Sequence, residues 1–157
     1  YEAVSALGKP MVFVNISGSC VNLAQQDAQC NAVVQCFYPG AEGGRALADI
    51  LYGDVSPSGR LPVTFYRSVD DLPPFEDYSM ENRTYKFFKG DVVYPFGHGL
   101  TYSKITEKWD GDAVQVKNEG NMDTWYTILQ FEWVSHKNLK NFKKVFLHAG
   151  EELTVTF

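Results

Sequence analysis

The spacing of apolar residues changes character twice along this chain. At the start, Tyr1–Leu7 places Val4 and Leu7 at helical spacing, and Gly8 followed by Pro10 predicts a stop. Met11–Ile16 is a short unbroken apolar run, which predicts a strand covered on both faces. Ser17–Gln29 is polar and rich in turn formers. Ala32–Phe37 is a second apolar run of the buried-strand type. Gly40, Gly43 and Gly44 predict a turn that opens a helix. Ala46, Leu47, Ile50 and Leu51 give that helix one apolar stripe, and Gly53 ends it. Helix, strand, loop, strand, helix is an α/β order, with helices laid on a mostly parallel sheet. The strands are too few for a doubly wound sheet, so the expectation is a partial α/β sandwich.

From Ser56 to Gly99 the periodicity is lost. Prolines recur at 57, 62, 73, 74 and 95, with glycines at 59, 90, 97 and 99 between them. Pro73-Pro74 requires extended backbone. A structureless stretch of this length is unusual inside a compact domain. Its many aromatics argue for an ordered strap packed over neighbouring surfaces.

After Tyr102 the pattern turns to β. Val114 and Val116 alternate within Ala113–Lys117, and Asn118–Asn121 reads as a turn. Trp125–Val134, Phe142–Leu147 and Leu153–Phe157 are further strand candidates, with Ala149-Gly150 turning the chain between the last two. Short strands separated by turns suggest a β-sandwich. The expected architecture is therefore α/β followed by all-β. It divides into the C-terminal part of an α/β-sandwich domain (1–66), an aromatic, proline-rich strap (67–102) and an incomplete β-sandwich (103–157).

Charge removes whole classes of function. The formal net charge is −5, so nothing here attracts a phosphate backbone. The one basic run, Lys137–Lys144, interleaves Lys140, Lys143 and Lys144 with Leu139, Phe142 and Val145, and reads as a strand with a solvated basic face. No stretch is apolar enough for a membrane span, and no signal peptide is visible. The three cysteines form no Cys-x-x-Cys pattern, which suggests neither zinc nor redox chemistry. Cys36 reads as a buried thiol, and the set leans toward a reducing, cytoplasmic compartment. Asn15-Ile-Ser and Asn82-Arg-Thr fit the glycosylation pattern, although Asn15 falls in a strand.

Candidate chemistry shrinks on inspection. Glu76-Asp77 and Asp70-Asp71 are adjacent pairs whose side chains diverge in extended chain. Glu42 beside Gly40 suits a helix start. Gly40–Gly44 lacks the Lys-Ser/Thr ending of a phosphate loop. Ser17-Gly-Ser19 lacks the flanking glycines of a nucleophile elbow. His98 reads as a turn residue, and His136 and His148 have no metal-ligand spacing. Arg60 and Arg83 sit beside apolar neighbours and suit charge-assisted hydrogen bonds that tie segments together.

Three ordered blocks carry a resemblance. The first is Phe37-Tyr38-Pro39-Gly40-Ala41-Glu42-Gly43-Gly44, running on through Ala46–Leu51. The second runs from Gly53 through Gly59-Arg60-Leu61-Pro62 to Phe65 and on to Asp71-Leu-Pro-Pro-Phe75. The third is Arg83-Thr-Tyr-Lys-Phe-Phe88 followed by Tyr94-Pro-Phe-Gly97-His-Gly99-Leu-Thr-Tyr102. Together they resemble glycoside hydrolase family 3, in the branch with a fibronectin III-like tail. The tail match, through Val116–Gly120 and Leu139–Leu147, is looser.

The resemblance implies a multi-domain, retaining, exo-acting hydrolase of β-glucosides or β-xylosides that needs no metal or organic cofactor. In the family a (β/α)8-type barrel carries the nucleophile, and the acid/base lies upstream of the segment matching Ser5–Ile16. A retaining glycosidase needs two carboxyl groups about 5–5.5 Å apart. Neither family motif is in this chain, so the expectation is an inactive portion that reaches its carbohydrate through the parent enzyme and its barrel. Within it, Arg83 and Glu81 are the substrate-proximal candidates. Tyr38, Pro39, Gly40, Glu42, Gly43, Gly59, Arg60, Pro62, Gly97 and Gly99 are the structural motif. A non-catalytic carbohydrate-binding or interaction module is the alternative. No nucleic-acid or membrane partner is expected, and oligomeric state is not legible.

Overall fold

The computed structural model describes all 157 residues. In chain order the elements are α1 (Glu2–Ser5), β1 (Val12–Asn15), α2 (Ala24–Gln29), β2 (Ala32–Gln35), α3 (Gly43–Tyr52) and β3 (Phe65–Tyr66). A single 3-10 turn (Val69–Asp71), α4 (Thr84–Phe87) and β4 (Val92–Tyr94) follow. Then come β5 (Ile105–Asp110), β6 (Ala113–Asn118), β7 (Thr124–Trp133), β8 (Lys137–Leu147) and β9 (Glu152–Thr156). A mixed α/β part thus precedes several antiparallel sheets. The chain gathers into two compact units: residues 1–45 with 62–96, and residues 46–61 with 97–157.

In the first unit β1 and β2 pair in parallel, from Val12↔Ala32 to Asn15↔Gln35. They are less covered than their apolar sequences predict. Val12 is 45% exposed and Ile16, just past the strand end, is 61% exposed. Two short strands with one short helix, α2, against β2 do not supply the second covering layer that a buried parallel sheet requires.

Helix α2 lies inside the stretch that reads as turn-rich. Its polar side chains hide any apolar stripe. Asn22 Oδ1 accepts the Ala24 amide at 2.9 Å just ahead of it, and Leu23, its N-cap, is buried. Tyr94 Oη then donates to Asp27 Oδ1 at 2.7 Å, which ties α2 to β4.

The proline-rich stretch carries more structure than its composition suggests. β3 and β4 pair antiparallel, with Phe65 fully buried and its ring edge-on to Tyr94. Ser68 and Asp71 form a reciprocal capping box over the 3-10 turn.

The second unit holds two antiparallel sheets, one ordered β5–β6–β9 and the other the β7–β8 pair. Val114 and Val116 of β6, Ile128 of β7, Val145 and Leu147 of β8 and Val155 of β9 form one buried core. Alternation explains it. In β6 Gln115, between the two valines, is half-buried and Lys117, after them, is exposed, as in a sheet with one packed face. β5, which the apolar pattern does not announce, pairs along its whole length with β6. β8 begins five residues earlier than its apolar run, at Lys137, and pairs with β7 through a bulge at Gln130/Phe131.

Candidate functional site

The residues singled out by sequence fall into three places rather than one. Two of these lie in the first unit. The turn from β2 into α3 holds Tyr38, Pro39, Gly40, Glu42 and Gly43. Phe37 (φ 51°) and Gly40 (φ 74°) are both left-handed there, which for Phe37 is an uncommon and costly conformation. Gly43 is buried, and a Cβ on it would lie 2.6 Å from the Pro39 ring. The tight strand-to-helix connection therefore depends on that glycine. Glu42 is exposed one residue before the helix.

Glu81 and Arg83 sit in a loop that is laced in several directions. The Arg83 guanidinium donates to the carbonyls of Pro73 (3.2 Å) and Pro74 (2.6 Å). Asn82 donates to Asp71 O and accepts from the Lys89 amide. Tyr66 Oη accepts from the Thr84 amide at 2.8 Å. Burial raises the Tyr66 hydroxyl above its ordinary value, and that donation partly offsets it. Met80, Asn82 and Thr84 are all left-handed, and Thr84, being β-branched, is the marked outlier. Glu81 is exposed and meets the loop only through its amide, which donates to Ser79 Oγ.

The second unit holds Gly59, Arg60, Gly97 and Gly99, where two of the sequence blocks interlock. The Leu61 amide donates to His98 O and the Gly97 amide to Leu61 O, both at 2.8 Å. A Cβ on Gly99 would collide with the Gly59 carbonyl. A Cβ on Gly97 (φ 82°) would lie 2.7 Å from Leu129 Cδ1. Arg60 donates to Gly99 O at 2.6 Å and to Thr127 O at 3.4 Å, and its guanidinium lies 4.9 Å from the centre of the Tyr126 ring. Burial, with Glu107 nearby, pushes the Tyr126 hydroxyl up to about 12. Thr127 Oγ1 donates to Ser58 O, which fastens the same segment to β7. Pro62, exposed, follows in the first unit.

Sequence reading passed over two positions that this geometry makes important. Gly18 lies under the Tyr38 ring. Its signal is present in Ser17-Gly-Ser19, but only the parallel register of β1 and β2 links it to Tyr38. Asn118, placed in a turn by its sequence, is fully buried at the end of β6. It accepts from Ser103 Oγ (2.6 Å) and the Gly120 amide (3.0 Å), and donates to Met122 O (2.9 Å) and Leu147 O (3.4 Å).

Asp77, Asp112, Glu119 and Asp123 all sit below the ordinary carboxylate range. They are held there first by the Ser79 amide, Lys140, Lys104 and the Ala149 amide respectively. No cluster of histidine, cysteine and carboxylate side chains is grouped to hold a metal. The cysteines are all unpaired, and Cys36 is only half-buried.

An α/β part followed by antiparallel sheets has counterparts among solved glycoside hydrolases. It covers 99% of this chain when laid on a GH3 exo-beta-xylosidase solved with a xylobiose aziridine activity-based probe (26% identity, TM-score 0.86, 26% of that chain). It likewise covers 99% when laid on the Trichoderma reesei beta-D-glucoside glucohydrolase (26% identity, TM-score 0.87, 29% of that chain). Residues 1–102 match the glycosyl hydrolase family 3 C-terminal domain, and the chain belongs to that family.

Among curated relatives, a xylan 1,4-beta-xylosidase of Xylanibacter ruminicola is 39% identical over 98% of this chain and 20% of its own length. A periplasmic beta-glucosidase of Salmonella typhimurium is 35% identical over 99% of this chain and 24% of its own length. The chain thus spans about a quarter or less of these two relatives.

Proposed function

We propose that this chain serves as scaffold and active-site wall of a retaining, exo-acting β-glycosidase that hydrolyses β-glucosides or β-xylosides. The nucleophile and the acid/base come from residues outside it. The observation that carries the reading is the match of nearly the whole chain to enzymes named xylosidase and glucosidase.

In this reading residues 1–66 are the end of the α/β-sandwich domain, 67–102 the strap and 103–157 a fibronectin III-like tail. Glu81 and Arg83 belong to the strap loop nearest the sugar. Arg83 shapes that loop through the two proline carbonyls and does not itself carry chemistry. The partner is the barrel domain, and Val12 and Ile16 are apolar positions for such a neighbour to cover.

Hydrolysis of aryl β-glucoside and aryl β-xyloside tests the proposal. An enzyme in which this chain continues from a barrel is expected to turn over at least one of them, and the isolated 157-residue chain neither. Turnover by the isolated chain at the rate of the whole enzyme overturns the division of labour. Inactivity of the whole enzyme on both substrates overturns the reaction class.

A further inference from the structure

In a parallel pair, ligands gather at the carboxyl ends of the strands. Here that edge carries a feature the family match does not assign. β1 ends at Asn15 and β2 at Gln35, and these two residues are partners in register. Three residues further on, the two chains meet again, with Tyr38 lying on Gly18. A Cβ built on Gly18 would fall 2.6 Å from Tyr38 Cε2 and 2.8 Å from both Cζ and Oη. No side chain larger than hydrogen leaves room for the ring in this position.

Tyr38 is nevertheless 79% exposed. Its phenol end rests on backbone, and most of the ring stands open to solvent. Phe37, immediately before it, is left-handed at φ 51°, a conformation that costs energy. The loop beneath the ring is braced as well. Asn15 Nδ2 donates to Ser17 Oγ (2.8 Å) and to Gln35 Oε1, and Gln35 Nε2 donates to Ser17 O (3.2 Å). The bracing residues are amides and a hydroxyl, all uncharged.

We infer that Tyr38, seated on Gly18, is a preformed stacking surface for an uncharged pyranose ring. An aromatic face attracts the weakly positive C–H face of a sugar. A ring already immobilised loses less side-chain entropy on binding than a mobile one. The amides and hydroxyl that brace the loop are neutral groups of the kind that hydrogen-bond polyols. Tyr38 is a binding residue in this assignment, and Gly18 a positioning residue that acts through it. The inference deepens the reading proposed above and rests on it for the class of sugar.

The test is a binding titration of the isotope-labelled 157-residue chain with xylobiose and with cellobiose, read from the Tyr38 ring signals by NMR. Saturable shifts are expected with at least one disaccharide. Tyr38→Phe retains the affinity, since the ring and not the hydroxyl does the stacking. Tyr38→Ala and Gly18→Ala each weaken it about tenfold. Gly44→Ala serves as the control, because a Cβ there meets nothing within 4 Å, and it binds as the unaltered chain does. Circular dichroism shows whether each variant keeps its fold, and the Tyr38→Phe and Tyr38→Ala pair decides if Gly18→Ala does not. Absence of saturable shifts in the unaltered chain overturns the inference, as does unaltered affinity in Tyr38→Ala. Either result leaves hydrolysis by the whole enzyme untouched, so the two proposals fail separately.

Discussion

The two compact units hold themselves together by different means. The unit of residues 46–61 and 97–157 has six aliphatic side chains, drawn from both of its sheets, in one buried core. The unit of residues 1–45 and 62–96 has only Leu23 and Phe65 as buried hydrophobics. It relies instead on cross-ties such as Tyr94 to Asp27, Cys20 Sγ to Thr64 O, and Arg83 to the two proline carbonyls. Net hydrogen-bond contributions are about 1 kcal/mol each, whereas a buried large side chain contributes about 1.5–3. The first unit, where family resemblance and strained turns concentrate, is therefore the less stable of the two.

Removal of the Phe65 ring puts the greatest strain on that contrast. The ring is fully buried, and Phe65→Ala is expected to cost about 3–5 kcal/mol. With so little other core in its unit, the substitution should abolish hydrogen-exchange protection in β1–β4 while amides of β6–β8 stay protected. Uniform loss across both units would show that they unfold as one body and that the contrast has no thermodynamic meaning.

Asn118 probes the other side. Its side chain makes four hydrogen bonds, two of them fully buried, so Asn118→Leu takes away the buried partner of the Ser103 hydroxyl and of the Leu147 carbonyl. The expected cost is about 2–3 kcal/mol, read as a lower denaturant midpoint of the β unit. An unchanged midpoint would mean that Asn118 is dispensable to the sandwich.

The same contrast explains what was legible in the sequence. Val114 and Val116 declare their face by alternation, and β6, β7 and β9 fall where that pattern puts them. β5 escaped notice because Glu107, Lys108 and Asp110 interrupt its apolar residues, and its order comes from pairing with β6 rather than from its own composition. Helix α2 escaped for a similar reason. It is short and polar, and only the buried Leu23 before it and the tie through Asp27 mark it as structure. The apolar runs of β1 and β2 correctly announced strands, but they implied a second covering layer that this chain does not provide.

Of the candidate site, the glycine turns were legible as motifs. What they do was not. The crossing of Gly59 with Gly99, and of Gly18 with Tyr38, depends on contacts between segments far apart in sequence. A lone glycine between two serines carries no trace of the ring above it.

Strain offers a smaller and opposite effect. Thr84 is β-branched at φ 58°, and its amide bond to Tyr66 does not depend on its side chain. A left-handed non-glycine residue costs about 1–2 kcal/mol, and glycine returns about 0.5–1 of that as unfolded-state entropy. Thr84→Gly should therefore stabilise the first unit by about 0.5–1 kcal/mol, seen as a rise in its melting temperature. A fall would show that the Thr84 hydroxyl, which accepts the Lys86 amide at 3.4 Å, matters more than the backbone strain.

The smallest expected effect is electrostatic and confined to the β unit. His148 Nδ1 and Asp123 Oδ2 lie 3.0 Å apart at the surface. The Asp123 hydrogen bond raises the imidazole above its ordinary value of 6.5. Its contribution is therefore complete below that value and is lost as pH rises through the higher folded pKa. Asp123 is held below its ordinary 3.8, first by the Ala149 amide and then by His148, so its contribution is present above that value and is lost as pH falls. The pair is intact between those limits. The β unit should then show a shallow stability maximum in mildly acidic solution, while the first unit shows none from this source. Asp123→Asn keeps an acceptor for the Ala149 amide but removes the charge, so the His148 NMR titration should move down toward the ordinary histidine range. An unmoved titration would assign the raised pKa to some group other than Asp123. It would also remove the pair from any account of why the β unit is the firmer of the two.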